Sequence, residues 1–107
     1  MDLEPASVTL VPSGIAVAIP DGYVGLVRDR SGMASRGAHT VAGVIDSDYR
    51  GEILVAMHNA SSRPITIEHG DRVAQMLVLP CERVDLEEVP ELPSSERGSG
   101  GFGSTGR

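Results

Sequence analysis

Hydrophobic positions in this chain fall in short runs separated by turn residues. Ile15, Val17 and Ile19 alternate with Ala16 and Ala18. A period of two places the large side chains on one face of a strand. Tyr23 to Arg28 is a second run rich in β-forming residues. Ile53 to Met57 is continuously apolar, the pattern of a strand buried on both faces. Ile65 to Ile67 alternates over a shorter span, and Val73 to Leu79 is the longest apolar stretch, interrupted by Gln75. Pro12-Ser13-Gly14, Pro20-Asp21-Gly22, Tyr49-Arg50-Gly51, Asn59 to Pro64 and His69-Gly70-Asp71 lie between the runs. Turns recurring about every 8–12 residues indicate an all-β sandwich or barrel. No window sustains the helical period, and Met33 to Arg36 has room for a single turn. The pattern therefore predicts an all-β domain over residues 1–89, with Cys81 to Val89 as its last candidate strand. Residues 90–107 form a Pro/Ser connector followed by a Gly-rich tail. Glycine loses much backbone entropy on ordering and offers no side chain to pack, so the tail has no means of folding by itself.

Composition narrows the function classes. A chain of 107 residues is one domain, and a domain of that size has a thin core. Its aromatic residues are Tyr23, Tyr49 and Phe102, so additional burial through oligomerisation is expected. A net charge of −6 excludes a general nucleic-acid binder, because no basic stripe is available to displace counterions. The single cysteine rules out an internal disulfide. No apolar run approaches the roughly 20 residues of a membrane span, and no charged-then-apolar start resembles a signal peptide. A cytoplasmic protein is expected.

Four polar blocks carry candidate chemistry. Gly98-Ser99-Gly100-Gly101-Phe102-Gly103 has the G-x-G-x-x-G spacing, but it neither follows a strand nor opens a βαβ unit, so a dinucleotide fold is excluded. Ser104 stands where a Walker loop needs lysine. What remains is a run of backbone N–H groups suited to phosphate, with Arg97 as a cationic fork and Phe102 as a stacking face. Gly43 to Glu52 packs Asp46, Asp48, Tyr49, Arg50 and Glu52 between apolar runs. Acids in a turn are either solvated surface or carboxylates that activate water or support a metal. Arg28-Asp29-Arg30-Ser31-Gly32 sets two guanidinium groups and a hydroxyl at a strand end, an anion site or a set of ion pairs. Gln75, inside the most apolar run, needs a hydrogen-bond partner. His39, His58 and His69 have no metal-ligand spacing.

These blocks, in this order, resemble the trimeric dUTPase family. Arg30-Ser31-Gly32-Met33-Ala34 resembles its second motif, and Gly43-Val44-Ile45-Asp46-Ser47-Asp48-Tyr49-Arg50-Gly51-Glu52 its third. Gly70-Asp71-Arg72-Val73-Ala74-Gln75-Met76 resembles the fourth, and Arg97 to Gly106 the fifth. The resemblance implies a jelly-roll-like β-barrel in a homotrimer whose sites are assembled from several chains. It implies Mg2+-dependent hydrolysis of dUTP to dUMP and pyrophosphate, which keeps uracil out of DNA and supplies dUMP for thymidylate. Asp46 is then the base that activates water for attack at the α-phosphorus. Tyr49 packs on the deoxyribose and excludes a ribose hydroxyl. Arg30, Ser31 and Gly32 meet the phosphates, with Gln75 beside them. Thr40 to Gly43 reads the uracil edge, with Thr40 standing where many members have Asn. Arg97 reaches the γ-phosphate, Phe102 stacks on uracil, and Gly100, Gly101, Gly103, Ser104 and Thr105 close over the nucleotide. The family's first motif, roughly Ala-Gly-x-Asp-Leu-x-Ala, has only Asp2-Leu3 as a counterpart. That makes Asp2 the residue implied to hold Mg2+ through water, in a motif shortened or lost. Two alternatives stand beside this reading: a dUTPase-fold module that binds nucleotide or protein with impaired catalysis, and a relative of the dCTP deaminases.

Overall fold

The structure, a computed structural model, describes residues 1–103. Its elements are β1 (Asp2–Leu3), β2 (Val8–Pro12), β3 (Tyr23–Asp29), α1 (Ser31–Ser35), β4 (Ala38–Thr40), β5 (Val44–Ile45), β6 (Leu54–Asn59), β7 (Ile65–Thr66) and β8 (Ala74–Pro80). Every ladder is antiparallel. The strands form one sheet in the order β2-β6-β4, a second in the order β5-β3-β8, and a two-stranded β1-β7 sheet. Val11, Val55, Met57 and Ala38 from the first sheet and Val27 from the second bury into one core, joined by Leu3, Met33, Ile53, Ile65 and Ile67. The protein is mostly β, as the turn spacing predicts. Among the described residues no helix is long and apolar enough to cross a membrane.

Strand faces follow the period of two. In β3, Gly25 and Val27 point inward. In β6, Val55, Met57 and Asn59 are buried, whereas Leu54 is 45% exposed. The apolar run Ile53 to Met57 is thus buried on one face within the chain, not on both. Its outer face lies beside Val8 and Leu10 of β2, which are also exposed. The alternating run Ile15 to Ile19 is not a strand. Its backbone meets the residue before β6 at Ile15, whose C=O accepts from Ile53 N–H at 2.9 Å, while Ile19 is buried outside any ladder. Nor is Cys81 to Val89 a strand. Cys81 N–H donates to Gly22 C=O at 2.8 Å, but β3 begins only at Tyr23, so the chain after Cys81 has no strand to pair with there, and Val84 and Leu86 are 76% and 100% exposed. The single helical turn at Met33 is present as α1 and buries that side chain.

One buried polar group ties the ends of three segments together. Asn59 is fully buried. Its Nδ2 donates to Leu3 C=O at 2.8 Å and Arg63 C=O at 2.7 Å, and its Oδ1 accepts from Ser61 N–H at 2.9 Å and Ser61 Oγ at 2.7 Å. A buried amide with all its bonds made stabilises the fold, and removing it leaves several groups unpaired. Asn59→Ala should therefore lower the stability by about 3 kcal/mol, read from the shift of the denaturant midpoint.

Candidate active site

The end of β3 leads directly into an anion-suited groove. Arg30 is extended (φ −102, ψ 137) and accepts the Ala34 N–H, so α1 turns the chain back and sets Ser31 and Gly32 beside it. Across the sheet, β8 brings Gln75 opposite Arg28. Arg30, Ser31, Gly32, Met33 and Arg36 then face Asp71, Arg72 and Gln75 across a groove of about 580 Å³. Three guanidinium groups against one carboxylate make this groove cationic on an acidic protein. Gln75 is exposed on this groove rather than enclosed by apolar side chains, so burial does not force a partner on it; its Nε2 nonetheless donates to Asp29 C=O at 2.7 Å.

Asp46 lies at the other end of β3. Ile45 of β5 pairs with Gly25, so Asp46 emerges beside Val24 and shares a cleft with Asp21, Tyr23 and Asp48. It also shares a pocket of about 210 Å³ with Tyr49, Glu52 and Leu54. The turn is built from inside: Tyr49 N–H donates to Asp46 C=O at 3.1 Å, and Tyr49 Oη donates to Glu52 C=O at 2.6 Å. Arg50 Nη1 donates to Ser47 C=O at 2.6 Å. The tyrosine ring lies over Gly51, where a Cβ would come within 2.6 Å of Tyr49 Oη. From Val24 to Arg30 the strand rises about 20 Å at its normal 3.3 Å per residue. Within one chain, the Asp46–Tyr49 turn and the Arg30–Gln75 groove are therefore separate places.

A carboxylate that the sequence reading passed over links the two sheets. Asp29 Oδ1 accepts from Thr40 N–H at 2.6 Å and Thr40 Oγ1 at 2.7 Å. These bonds, the backbone one first, hold its pKa below the ordinary value against an opposing desolvation, and His39 and Arg28 add smaller electrostatic support. A carboxyl with a lowered folded pKa adds stability above its unfolded value, and that contribution is lost as pH falls through the folded value. Its signal was present in the sequence as an acid between Arg28 and Arg30 at a strand end, but the partner, 11 residues on, follows from topology alone. After Thr40 the backbone turns through two positive-φ residues, Ala42 (φ 60) and Gly43 (φ 103). A Cβ at Gly43 would meet Val27 C=O at 2.9 Å, so this close approach requires glycine.

The remaining candidates lie apart from both places. Asp2 sits on β1, where its carboxylate accepts from Thr66 Oγ1 at 2.8 Å. It lines none of the clefts above, and among the described residues no three His, Cys, Asp or Glu side chains gather as a metal site. His39 and His58 pair with each other across β4 and β6 (Nε2 to Nδ1, 2.8 Å). Arg97 and Gly100 form a turn, Gly100 N–H donating to Arg97 C=O at 3.2 Å, with Gly101 beside the guanidinium. Phe102 is fully exposed at φ 51, next to Gly103 at φ 87. Ser104 and Thr105 lie outside the described residues.

A family model described as dUTPase matches residues 1–106. The deoxyuridine 5'-triphosphate nucleotidohydrolase of Anaeromyxobacter sp. (strain Fw109-5) is 50% identical over 108 residues, covering 98% of this chain and 74% of that protein. The enzyme of the same name from Dictyoglomus turgidum (strain DSM 6724 / Z-1310) is 51% identical over 100 residues, covering 91% and 68%. Among solved structures, the Staphylococcus bacteriophage 80alpha dUTPase with dUPNHPP superposes with a TM-score of 0.89 at 31% identity, over 100% of this chain and 80% of that one. A variant dUTPase from phage phi11 of S. aureus, described for its coordination of a structural Mg(II) ion, has a TM-score of 0.73 at 25% identity, over 85% and 77%. Both named relatives carry one activity, and the deaminase alternative has no counterpart among them. The chain belongs to the dUTPase family and hydrolyses dUTP.

Proposed function

We propose that hydrolysis takes place in sites built between chains of a homotrimer, each combining the Asp46–Tyr49 turn of one chain with the Arg30–Gln75 groove of a neighbour. The separation along β3 carries this reading. A general base must lie within hydrogen-bond reach, directly or through one water, of the group it activates. Arginines that hold the same triphosphate cannot stand about 20 Å away, the rise of β3 at its normal spacing. The exposed Val8, Leu10 and Leu54 on the outer sheet face, and the extended segment carrying Val84, Leu86 and Leu92, supply the apolar surface that such an assembly buries.

In that site the Asp46 carboxylate takes the proton of the water attacking the α-phosphorus. Carboxylates are weak bases, so fixing the water in line supplies much of the acceleration. Arg30 and Ser31 bind the phosphates, with Gly32 allowing close backbone approach and Gln75 alongside. Fixed cationic groups stabilise the negative charge that develops on the departing pyrophosphate. The Thr40–Gly43 corner reads the base edge through its backbone. Arg97, Phe102 and Gly100 to Thr105 close over the nucleotide as a lid ordered by substrate. The phage phi11 dUTPase variant coordinates a structural Mg(II) ion, and Mg2+ is the cation this reading assigns to the reaction. That cation commonly binds through substrate phosphates with few protein ligands, and when bound it supplies further charge neutralisation. Pyrophosphate release from dUTP, measured with Mg2+ at falling chain concentration, tests the shared site: specific activity should drop as the assembly dissociates, and full activity in the monomer would overturn it.

In this reading Tyr49 senses the sugar. Its hydroxyl is tied to Glu52 C=O and its ring to Gly51, which leaves little room to yield to a 2'-hydroxyl. Gly51→Ala displaces the ring, because no real Cβ sits 2.6 Å from an oxygen. The expected outcome is a loss of roughly tenfold or more in the dUTP-over-UTP preference, about 1.4 kcal/mol, measured as the ratio of the two kcat/KM values. An unchanged ratio would remove Tyr49 from sugar selection.

A further inference from the structure

Thr40 to Gly43 is where the chain passes from one sheet to the other. Thr40 ends β4, in the β2-β6-β4 sheet, and Val41 N–H still donates to Ala56 C=O of β6 at 2.9 Å. Two residues later, Gly43 C=O accepts from Val27 N–H of β3 at 2.8 Å, and β5 continues along β3 with Val44 opposite Leu26. Between these points the backbone makes its two positive-φ steps at Ala42 and Gly43. A ladder interrupted in this way does not fix its own register: a slip of one residue would turn Asp46 to the other face of the sheet.

Asp29 supplies the missing constraint. Its backbone continues the β3–β8 ladder opposite Ala74, while its side chain reaches across to take both donors of Thr40. One oxygen holding an N–H and a hydroxyl fixes position and orientation at once, and charge-assisted bonds of this kind are stronger than neutral ones. The same residue's carbonyl holds Gln75, and the next residue is Arg30. The first point of the corner is thereby locked to the strand end that carries the phosphate groove.

We propose that Asp29 is a positioning residue for turnover: by pinning Thr40 it sets the base-reading corner and the register that delivers Asp46. The inference rests on the roles given above to Thr40–Gly43 and Asp46. An ordinary stabilising bond would affect melting alone, whereas this one is read in kinetics. Asp29→Ala, assayed well below its melting temperature, should lower kcat for dUTP by roughly tenfold to a hundredfold, the scale of a small misplacement of reacting groups. It should also narrow the preference for dUTP over dCTP in binding. Asp29→Asn keeps an acceptor oxygen at the same place and should recover most of the loss. Thr40→Val removes the hydroxyl donor and keeps the N–H. It should give a smaller loss of the same kind, and the double variant Asp29→Ala with Thr40→Val should fall short of the product of the two, as coupled partners do. A folded Asp29→Ala protein with wild-type kcat and base preference would overturn the proposal, as would independent, multiplicative effects of the two changes. If Asp29→Ala does not fold, Thr40→Val and Asp29→Asn carry the test: wild-type kcat and base preference in Thr40→Val would overturn it. Asp46→Asn assayed in parallel separates the failures. Full turnover in that variant would remove the assumed role of Asp46, whereas an effect confined to melting in the Asp29 series would remove the positioning role alone.

Discussion

Asp46→Asn is expected to lower kcat for dUTP by at least about a hundredfold, because general-base assistance contributes roughly 10²–10⁴ in rate. In energy this is about 3–5 kcal/mol of transition-state stabilisation. The amide has the size and shape of the acid but cannot accept a proton at neutral pH. The turn around it does not depend on the carboxylate: Tyr49 bonds to the Asp46 carbonyl, and the other bonds run from Tyr49 to Glu52 and from Arg50 to Ser47. Fold, assembly and affinity for a non-hydrolysable dUTP analogue should accordingly stay near wild type, so that kcat falls while binding holds. That split marks an interaction made only in the transition state. If the variant turned over within about threefold of wild type, far below the range for a lost general base, the base would have to be sought elsewhere in the same clefts, where Asp21 and Asp48 stand with Asp46. A parallel fall in binding would instead mean that the carboxylate holds substrate.

The sequence disclosed the strands that pair within the chain and the motifs that carry chemistry, for a shared physical reason. Tyr23 to Arg28 and Val73 to Leu79 are long β-forming runs that find each other as β3 and β8. Glycines at turn positions mark where φ becomes positive, as at Gly14, Gly22 and Gly70. What misled was apolar surface without a partner in the same chain. Ile53 to Met57 reads as doubly buried because Leu54 is apolar, yet that side chain is exposed here, and Ile15 is likewise apolar and open. Hydropathy reports that a side chain is to be covered, not by which chain. Val8–Pro12 breaks its alternation at Leu10-Val11, and Ala38–Thr40 has a single apolar residue, so neither strand shows a period. The Asp29–Thr40 clamp was hidden for another reason: hydrogen bonds between distant residues leave no spacing signature. In the candidate site, residue types and motif order pointed to Asp46, Arg30 and Gln75, whereas their distribution over the two ends of β3 needed the sheet register.

That distribution makes the second large effect the recovery of activity by mixing two dead proteins. Arg30→Ala removes the proposed phosphate contact at one end of β3, and Asp46→Asn removes the proposed base at the other. Each homogeneous assembly should be nearly inactive, since every one of its sites carries the same defect. In co-expressed mixed assemblies, a site that draws Asp46 from an Arg30→Ala chain and Arg30 from a neighbouring Asp46→Asn chain is intact. Random assortment of equal amounts gives about one such site in four for a closed cyclic assembly, so about a quarter of wild-type activity should return. If both residues served one nucleotide from the same chain, no mixed site could hold both, and activity would stay at the level of the single variants. The experiment presupposes an assembly near three times the 11.2 kDa chain mass, measured by light scattering on the same sample. A monomeric mass would remove the shared site altogether, because the rise of β3, about 20 Å from Val24 to Arg30 at its normal spacing, would then leave the base out of reach of the phosphates that Arg30 binds. Recovery near one quarter, in contrast, would locate one site across two chains without any structure of the assembly, because only neighbouring chains can exchange the two defects.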